Sequence, residues 1–367
     1  MRILHVTDFY RPRVGGIELF VEGLALRQAA AGHEVTVLSG TSAGSSADPA
    51  SLTVVRVPLG GYVPLVTVPI DLASYDVVHT HLSVASILAT RVGKAAARAG
   101  VPVVNTVHSM WNGREGWVRI IGAIARWHRL PQVWTSVSDN AAATVRKVLP
   151  AGTDVHVVSN AIDVAWWSSP VRRASSDTVT FATVMRLSGR KRPLQLIDLL
   201  AHARAEVPAS VRMRAVIVGE GKLEERIRAR IAALGLDWVT LTGQLTPEQV
   251  RGVFRAADVF VAPSHQESFG LAALEARAAG LPVVAMSSGG VGEFVADGVE
   301  GMLCESDDAL AEAMALLASD ATLRGAMAAN THVHPPLQEW RHALAGFEST
   351  YALAGSLVTA HREDATR

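Results

Sequence analysis

Short apolar segments with strand character alternate with helical patterns from the first residues onward. Residues 3–7 form a buried-strand pattern, residues 17–31 have helical spacing that ends at Gly32, and residues 34–39 form the next strand pattern. A strand, loop, helix and strand in this order predict parallel strands joined by a right-handed crossover. We therefore expect an α/β protein built from doubly wound parallel sheets.

The length of the chain predicts more than one domain. Its 367 residues exceed what one ordinary hydrophobic core holds. The alternating pattern lapses where two Trp, paired Arg and several Ser follow one another without periodicity, which is typical of a linker. We predict a first domain at 1–165, a linker at 166–177, a second domain at 178–335 and a C-terminal helical segment at 336–367 that packs back on the first domain. The helical pattern in that last segment is clear from Pro336 to Ala354.

Composition excludes several classes of protein. The apolar runs are interrupted before the roughly 20 residues that a membrane span requires, and the first residues enter a strand pattern rather than an export signal. One cysteine, Cys304, excludes an internal disulfide and a multi-cysteine metal site. With a formal net charge of zero, we expect no nucleic-acid partner. The expected location is the cytoplasm, and a position at the inner face of the membrane is the alternative.

One segment departs from this even charge. Residues 91–147 contain nine Lys or Arg and two Asp or Glu, a net charge of +7. Within it, 114–129 resembles an amphipathic basic helix whose apolar positions include two Trp. Such a helix can lie on an anionic membrane or pack its Trp stripe inside the domain, so peripheral membrane contact stays open.

Several polar or glycine-rich loops follow predicted strands, where ligands bind in open α/β sheets. Gly15 and Gly16 follow the first strand, and His108 ends the strand at 101–107. In the second half, the basic loop 186–191 and Gly219 also follow strands. Neither glycine-rich loop has the three glycines of a dinucleotide fingerprint, which disfavours an NAD(P) enzyme. We expect two sheets facing a central cleft between these loops.

A strand at 257–262 leads through a turn into a helix in the stretch from Ser264 to Glu275. A helix N-terminus delivered in this way suits a phosphate group. Glu267 and Glu275 are eight residues apart, and a helical rise of roughly 12 Å would separate them. Two carboxylates so placed can hold the two ends of a nucleotide-diphosphate sugar, or they can be ordinary solvated side chains.

The residues Glu267-Ser-Phe-Gly-Leu-Ala-Ala-Leu-Glu275 match the E-x7-E motif of family 4 retaining glycosyltransferases. The later segment Gly289-Gly-Val-Gly-Glu293 and the earlier Asp76-Val-Val-His are also similar to that family. Nearly the whole chain therefore resembles the family, including its actinobacterial phosphatidylinositol mannosyltransferases and inositol-phosphate N-acetylglucosaminyltransferases. The resemblance implies a GT-B fold, with two Rossmann-like domains facing a cleft.

The resemblance also implies a role for particular residues. Glu267 would contact the transferred sugar, Glu275 the ribose hydroxyls, and Arg186 with Lys191 the diphosphate. His108 would lie by the reacting ring, completing the implied catalytic set. The remaining predicted donor-binding residues are Gly15, Gly16, Gly219, Ser268, Phe269, Gly270 and Leu271, of which Gly219 is predicted from its place in a ligand-facing loop.

The implied reaction transfers a hexose or N-acetylhexosamine from a UDP- or GDP-sugar to an acceptor hydroxyl, which can be anionic. No cofactor is expected, and no metal, because the sequence lacks Asp-x-Asp and two cations can bind the diphosphate. Three positions depart from the family pattern: Met185, Arg192 and Ala161 stand where glycine is usual. A nucleotide-sugar epimerase or hydrolase, and a non-catalytic scaffold that binds the donor, are the alternatives.

Overall fold

The computed structural model describes residues 1–44, 48–57, 70–84, 86–111, 113, 116, 118–119, 122, 130–168 and 178–366. These residues form two compact units. The first contains Met1–Ala161 together with Trp340–Arg367, and the second contains Ile162–Glu339. Most of the basic segment predicted at 114–129 lies outside the described residues.

The first unit contains a sheet of seven parallel strands among its described residues. They are β1 Arg2–Thr7, β2 Glu34–Ser39, β3 Thr53–Arg56, β4 Val77–Leu82, β5 Val103–Val107, β6 Val133–Ser136 and β7 Val155–Val157. The order across the sheet is β3-β2-β1-β4-β5-β6-β7. The helices between these strands are α1 Gly16–Ala30, α2 Ile87–Arg98 and α3 Asp139–Arg146.

Both faces of this sheet are buried, as its sequence pattern predicts. Leu4, Val78 and Val103 point to one core cluster, together with residues of α2 and α3. The neighbouring residues Ile3 and Val77 point to the opposite cluster, which contains side chains of α1. Successive side chains of a strand alternate between faces, so strands covered on both sides are apolar throughout.

The second unit contains a sheet of six parallel strands among its described residues. They are β8 Thr178–Val184, β9 Arg212–Val218, β10 Val239–Gly243, β11 Val259–Ala262, β12 Val283–Met286 and β13 Gly301–Cys304, in the order β10-β9-β8-β11-β12-β13. Its helices are α4 Val164–Trp167, α5 Pro193–Glu206, α6 Glu224–Ala233, α7 Pro247–Ala256, α8 Leu271–Ala278, α9 Asp307–Ser319 and α10 Ala321–Val333. The strand order reverses between β8 and β11, and such a reversal opens a crevice at the carboxyl ends of those strands.

The chain then returns to the first unit through α11, Trp340–Thr366. Phe347 and Tyr351 of this helix are buried in the cluster that also contains Phe20 of α1. The predicted start at Pro336 is wrong, because Glu339 forms a parallel bridge with Ile162 and the helix begins after it. The helix continues past Ala354, where the clear part of the sequence pattern ends, to Thr366, near the predicted end of the segment.

Two further details of the chain differ from the prediction. The helix α10 was not predicted; the side chain of Asp320 caps it by accepting a hydrogen bond from the Leu323 amide. The first unit ends at Ala161 rather than 165, because the Ile162 amide donates to the Gln338 carbonyl within the second unit. No helix among the described residues is long and apolar enough to cross a membrane.

Candidate active site

An ion pair joins two loops at the carboxyl edge of the second sheet. Lys191 lies in the 3-10 turn Gly189–Lys191 after β8, and its Nζ is 2.5 Å from Oε2 of Glu267 in the loop after β11. The Lys191 side chain is 32% exposed and that of Glu267 is 15% exposed. The Ser264 hydroxyl also donates to the Arg190 carbonyl, at 3.1 Å. The two loops that flank the reversal of strand order are therefore held together.

The backbone of the turn before α8 leaves a bare helix N-terminus. Gly270 is the N-cap residue, with φ at +102°, and no side chain caps the helix. A Cβ at Gly270 would lie 2.9 Å from Cγ2 of Val291, so space and conformation both require glycine. Leu271 begins the helix, and its first amide groups have no intrahelical acceptor. This turn can therefore receive an anion.

The loop that contains Gly290 packs against this turn. The Gly290 amide donates to the Glu267 carbonyl at 2.8 Å, and a Cβ at Gly290 would lie 2.5 Å from the Ser268 carbonyl oxygen. Phe269 is buried, and its ring lies 5.3 Å from that of Phe294. The position of the Glu267 backbone is therefore set by packing as well as by the Lys191 ion pair.

Glu275 lies on the second turn of α8 and is half-buried. Burial raises the pKa of its carboxyl to about 8, from 4.5. Only residues from Leu271 onward are helical, so the predicted rise of a continuous helix between the two glutamates is wrong: Glu267 precedes the helix. Near neutral pH the Glu275 carboxyl therefore favours its protonated form.

The loops after β8 and β9 meet through their backbones. A Cβ at Gly219 would lie 1.9 Å from the Met185 carbonyl oxygen, and φ of Gly219 is +134°. The amide of Leu187 donates to the Glu220 carbonyl at 2.9 Å. Gly219 therefore supports the loop that carries the exposed Arg186. Gly219 thus has a packing role, and its donor-binding role stays a prediction.

Arg192 follows Lys191 in a left-handed conformation, with φ at +56°, at one of the positions where the family has glycine. Its guanidinium donates to both carboxylate oxygens of Asp307 and to the Pro263 carbonyl. These bonds offset the strain that a residue with a Cβ meets in this conformation. They also tie the β8 loop to the loop after β11.

In the first unit, His108 belongs to a chain of buried hydrogen bonds. Nε2 of His108 lies 3.0 Å from Nδ1 of His81, and Nε2 of His81 lies 2.9 Å from Nδ1 of His5. Nε2 of His5 lies 2.6 Å from the Gln28 side-chain oxygen, and the Gln28 amide nitrogen donates to the Tyr351 hydroxyl at 3.0 Å. We call these five residues the histidine chain.

The chain continues on the far side of Tyr351. The Tyr351 hydroxyl lies 2.8 Å from Nδ1 of His79, whose Nε2 lies 2.6 Å from the Thr106 hydroxyl. The Thr106 and Thr135 hydroxyls lie 2.6 Å apart, and both side chains are fully buried. This extension therefore ends inside the core of the first unit.

Burial keeps these imidazoles neutral. It lowers the pKa of His5 to about 4 and that of His108 to about 3, from 6.5. Burial also lowers the pKa values of His79 and His81 well below the usual value, and the neighbouring histidines add to this effect. Removal from water disfavours the charged imidazolium, so each of these rings favours its neutral form.

Nitrogens of His5, His79 and His81 come within 4.8 Å of one another, close enough for a metal ion. Each of the six ring nitrogens already has a hydrogen-bond partner, which a metal would have to displace. We therefore read the cluster as a hydrogen-bonded network.

Gly15 and Gly16 lie at the start of α1, near His108 in the first unit. Gly15 is extended and precedes the helix, which starts at Gly16. Phe20, one turn further along, lies 5.5 Å from the His108 ring, measured between ring centroids. The start of α1 and His108 are therefore neighbours, and the structure places them in the first unit.

Sequence reasoning missed the histidine chain and considered His108 alone. The pattern of β4 did contain a signal, because His79 and His81 are two residues apart and so share one face of the strand. The register of β1 and β4 pairs His5 with His79 and brings the third ring to that face. That pairing could not be read from the sequence.

Comparisons with known proteins agree with this architecture. Residues 14–166 match the family model described as Glycosyltransferase Family 4, and residues 168–333 match the model described as Glycosyl transferases group 1. The chain is 31% identical to a glycogen synthase of Mycobacterium tuberculosis over 84% of this chain and 83% of the relative. It is 29% identical to a D-inositol 3-phosphate glycosyltransferase of Saccharomonospora viridis, over 92% and 90% of the two chains.

Solved structures share the fold at lower identity. Anabaena HepE, in complex with UDP and glucose, superposes with a TM-score of 0.73 at 21% identity, over 96% of this chain and 99% of that one. WaaG, a glycosyltransferase involved in lipopolysaccharide biosynthesis, superposes with a TM-score of 0.71 at 17% identity, over 96% and 99% of the two chains. The two parallel-sheet units and these similarities together show that the chain belongs to the family 4 glycosyltransferases with the GT-B fold.

Proposed function

We propose that this glycosyltransferase moves a hexose or N-acetylhexosamine from a nucleotide-diphosphate sugar to an acceptor hydroxyl with retention of configuration and without a metal ion. The observation that carries the proposal is the Lys191–Glu267 ion pair beside the bare N-terminus of α8. It combines a cation, a carboxylate and backbone amide donors at one sheet edge. That combination suits a diphosphate with a sugar attached to it.

The second unit would hold the donor. Lys191 and Arg186 would bind the diphosphate, assisted by the amides from Ser268 to Leu271. A cation about 4 Å from a phosphate oxygen in a partly wet site contributes on the order of 4 kcal/mol before desolvation is subtracted. Gly219 would hold the shape of the loop, and Glu275 would accept hydrogen bonds from the ribose hydroxyls.

In the proposed reaction the bond between the anomeric carbon and the leaving phosphate oxygen breaks first. An oxocarbenium-like centre forms, and the acceptor oxygen bonds to the anomeric carbon on the face that the phosphate leaves. A departing phosphate oxygen accepts the proton of the acceptor hydroxyl. Lys191 and Arg186 would stabilise the charge that develops on the diphosphate, which we expect to be the largest catalytic contribution.

Glu267 would contact the transferred sugar, and its ion pair with Lys191 would adjust as the donor enters. His108 would lie by the reacting ring from the first unit, where Gly15 and Gly16 would approach the phosphate. The absence of an Asp-x-Asp motif and the presence of two basic residues in the β8 loop support diphosphate binding without a metal.

Similar proteins suggest which substrates to test. UDP occurs with glucose in the HepE structure and UDP-glucose in a second HepE structure, which favours UDP-sugars over GDP-sugars as the first donors. The names of the relatives offer two acceptor classes, a phosphorylated inositol and a glucan. We favour an anionic acceptor, since residues 91–147 carry a net charge of +7. Peripheral contact with the inner face of a membrane would be a separate property of that segment.

The test combines UDP-, GDP- and ADP-sugars with inositol 3-phosphate or a glucan, in the presence of excess chelator. We expect acceptor-dependent release of the nucleoside diphosphate and, by NMR, a product whose anomeric configuration is that of the donor. An inverted product would contradict retention, and activity only after adding a divalent cation would contradict metal independence. Nucleotide release that is as fast without acceptor would favour the hydrolase alternative.

A further inference from the structure

The direction of every hydrogen bond in the histidine chain follows from one group. The Gln28 side-chain amide nitrogen donates to Tyr351, so its oxygen faces Nε2 of His5. An amide oxygen has no proton, and the short contact therefore requires a proton on Nε2 of His5.

The same requirement passes along the chain. A neutral imidazole has one N–H, so Nδ1 of His5 is unprotonated and accepts from Nε2 of His81. Nδ1 of His81 is then unprotonated and accepts from Nε2 of His108. The ring of His108 is left with its proton on Nε2 and none on Nδ1.

We propose that Gln28, His5 and His81 are positioning residues that fix His108 as the tautomer protonated on Nε2, so that Nδ1 acts as a hydrogen-bond acceptor. Resting on the proposed function, this makes His108 an acceptor for a hydroxyl of a bound sugar substrate. If Nδ1 of His108 carried the proton instead, it would be a donor, and the substrate hydroxyl would need another acceptor for its own proton.

The chain is suited to fixing a tautomer and not to carrying protons. An amide does not pass a proton as an imidazole does, and the Gln28 amide interrupts the sequence of rings. Beyond Tyr351 the hydrogen bonds end at Thr106 and Thr135, which are fully buried. A proton relay needs a path to water at its far end, and these residues do not supply one.

A change at His81 tests the proposal directly. His81→Leu removes both hydrogen bonds of the ring, whereas His81→Gln can accept from His108 through its oxygen and donate to His5 through its nitrogen. The tautomer of His108 is read from the ring ¹⁵N chemical shifts of labelled full-length protein, since an unprotonated nitrogen resonates downfield of a protonated one. His108→Gln identifies the signals among those of the 13 histidines.

In the wild type we expect Nε2 of His108 to be protonated and Nδ1 to be unprotonated. His81→Leu should give averaged shifts for the two nitrogens and lower kcat by about tenfold, the equivalent of about 1.4 kcal/mol. His81→Gln should restore the wild-type tautomer and most of the turnover. A proton on Nδ1 in the wild type, or an unchanged tautomer in His81→Leu, would overturn the proposal.

Two further variants separate positioning from simple destabilisation. Gln28→Met removes the amide that sets the direction and should also mix the His108 tautomers. Thr135→Val removes a buried hydrogen bond at the far end and should leave the tautomer unchanged; a mixed tautomer there would contradict the directional account. If no nucleotide sugar serves as a donor, the proposed function fails, while the chemical shifts still decide the tautomer.

Discussion

His108 in the first unit is buried among neutral hydrogen-bonding groups, whereas Lys191 and Glu267 in the second unit form a partly exposed ion pair between two loops. The first arrangement fixes one ring in one orientation, because each of its hydrogen bonds depends on the next. The second leaves charged groups that can exchange partners when a ligand arrives, because exposed ion pairs contribute little to stability.

This contrast also gives the two units opposite responses to pH. In the first unit the buried histidines have lowered pKa values, so acid favours the unfolded state, which binds more protons. In the second unit Glu275 has a raised pKa, so alkali favours the unfolded state, which releases its proton sooner.

Lys191→Met should lower kcat by about 100-fold or more, since removing one preorganised group that stabilises developing charge costs roughly 10² to 10³ in rate. The free energy of unfolding should change by at most about 1 kcal/mol, because the ion pair is partly exposed. Arg228→Met, which removes an ion pair with Glu224 on α6, is the matched control and should leave turnover unchanged. Turnover within a few-fold of the wild type in Lys191→Met would remove Lys191 from the proposed mechanism.

The first unit should lose stability as the pH falls from about 6.5 to about 4. Over this window the unfolded chain gains protons that His5 and His108 do not gain in the folded state. Each unit of pKa difference is worth about 1.4 kcal/mol. Amide hydrogen exchange measured across this range reports the two units separately and should show faster opening in the first.

His79→Gln can keep both hydrogen bonds of His79 while removing one titrating ring, so the acid sensitivity of the first unit should become smaller. His156→Gln on the exposed side of β7 is the control and should leave it unchanged. If the stability of the first unit falls equally with pH in the wild type and in His79→Gln, the buried rings do not govern the acid response.

Glu275→Gln should have the opposite effect in the second unit. The wild type loses stability as the pH rises from about 4.5 to about 8, because the unfolded chain releases a proton that folded Glu275 retains. The variant has no such proton, so its melting temperature should equal that of the wild type near pH 4.5 and exceed it near pH 8. Glu225→Gln, at an exposed position of α6, should track the wild type. A variant that is less stable than the wild type at pH 8 would contradict the raised pKa.

The smallest expected effect concerns Arg192 and its left-handed backbone. Arg192→Ala and Arg192→Gly both lose the Asp307 ion pair, but only glycine also relieves the strain, which is worth roughly 1 to 2 kcal/mol. Urea unfolding should therefore find the Gly variant about 1 kcal/mol more stable than the Ala variant. Equal stability of the two would mean that the left-handed conformation carries no strain.

Much of the fold could be predicted because strands, turns and helix starts leave local signals. The apolar run of β11, the break at Pro263 and the helical spacing after Leu271 all lie within one short stretch. The resemblance to a glycosyltransferase family, confirmed by the comparisons, also followed from local motifs. Whether the twelve predicted site residues have their implied roles stays a prediction.

The histidine chain could not be predicted, because it depends on which strands are neighbours. His5 meets His79 and His81 only since β1 lies beside β4, and Tyr351 joins them from a helix at the other end of the chain. The packing role of Gly219 was hidden for the same reason: the Met185 carbonyl that fills its Cβ position comes from the loop after another strand, β8. Contacts between distant parts of the sequence have no periodicity to reveal them.

The central claim is that the ion-paired loops of the second unit bind a nucleotide-diphosphate sugar. Amide hydrogen exchange with and without saturating UDP-glucose tests it most directly, on the wild type and on Lys191→Met at equal nucleotide concentration. We predict slower exchange in residues 186–192 and 264–275 of the wild type and a loss of that protection in the variant. Two results would contradict the account. One is that neither segment is protected by a UDP-, GDP- or ADP-sugar, and the other is that protection in Lys191→Met equals that in the wild type.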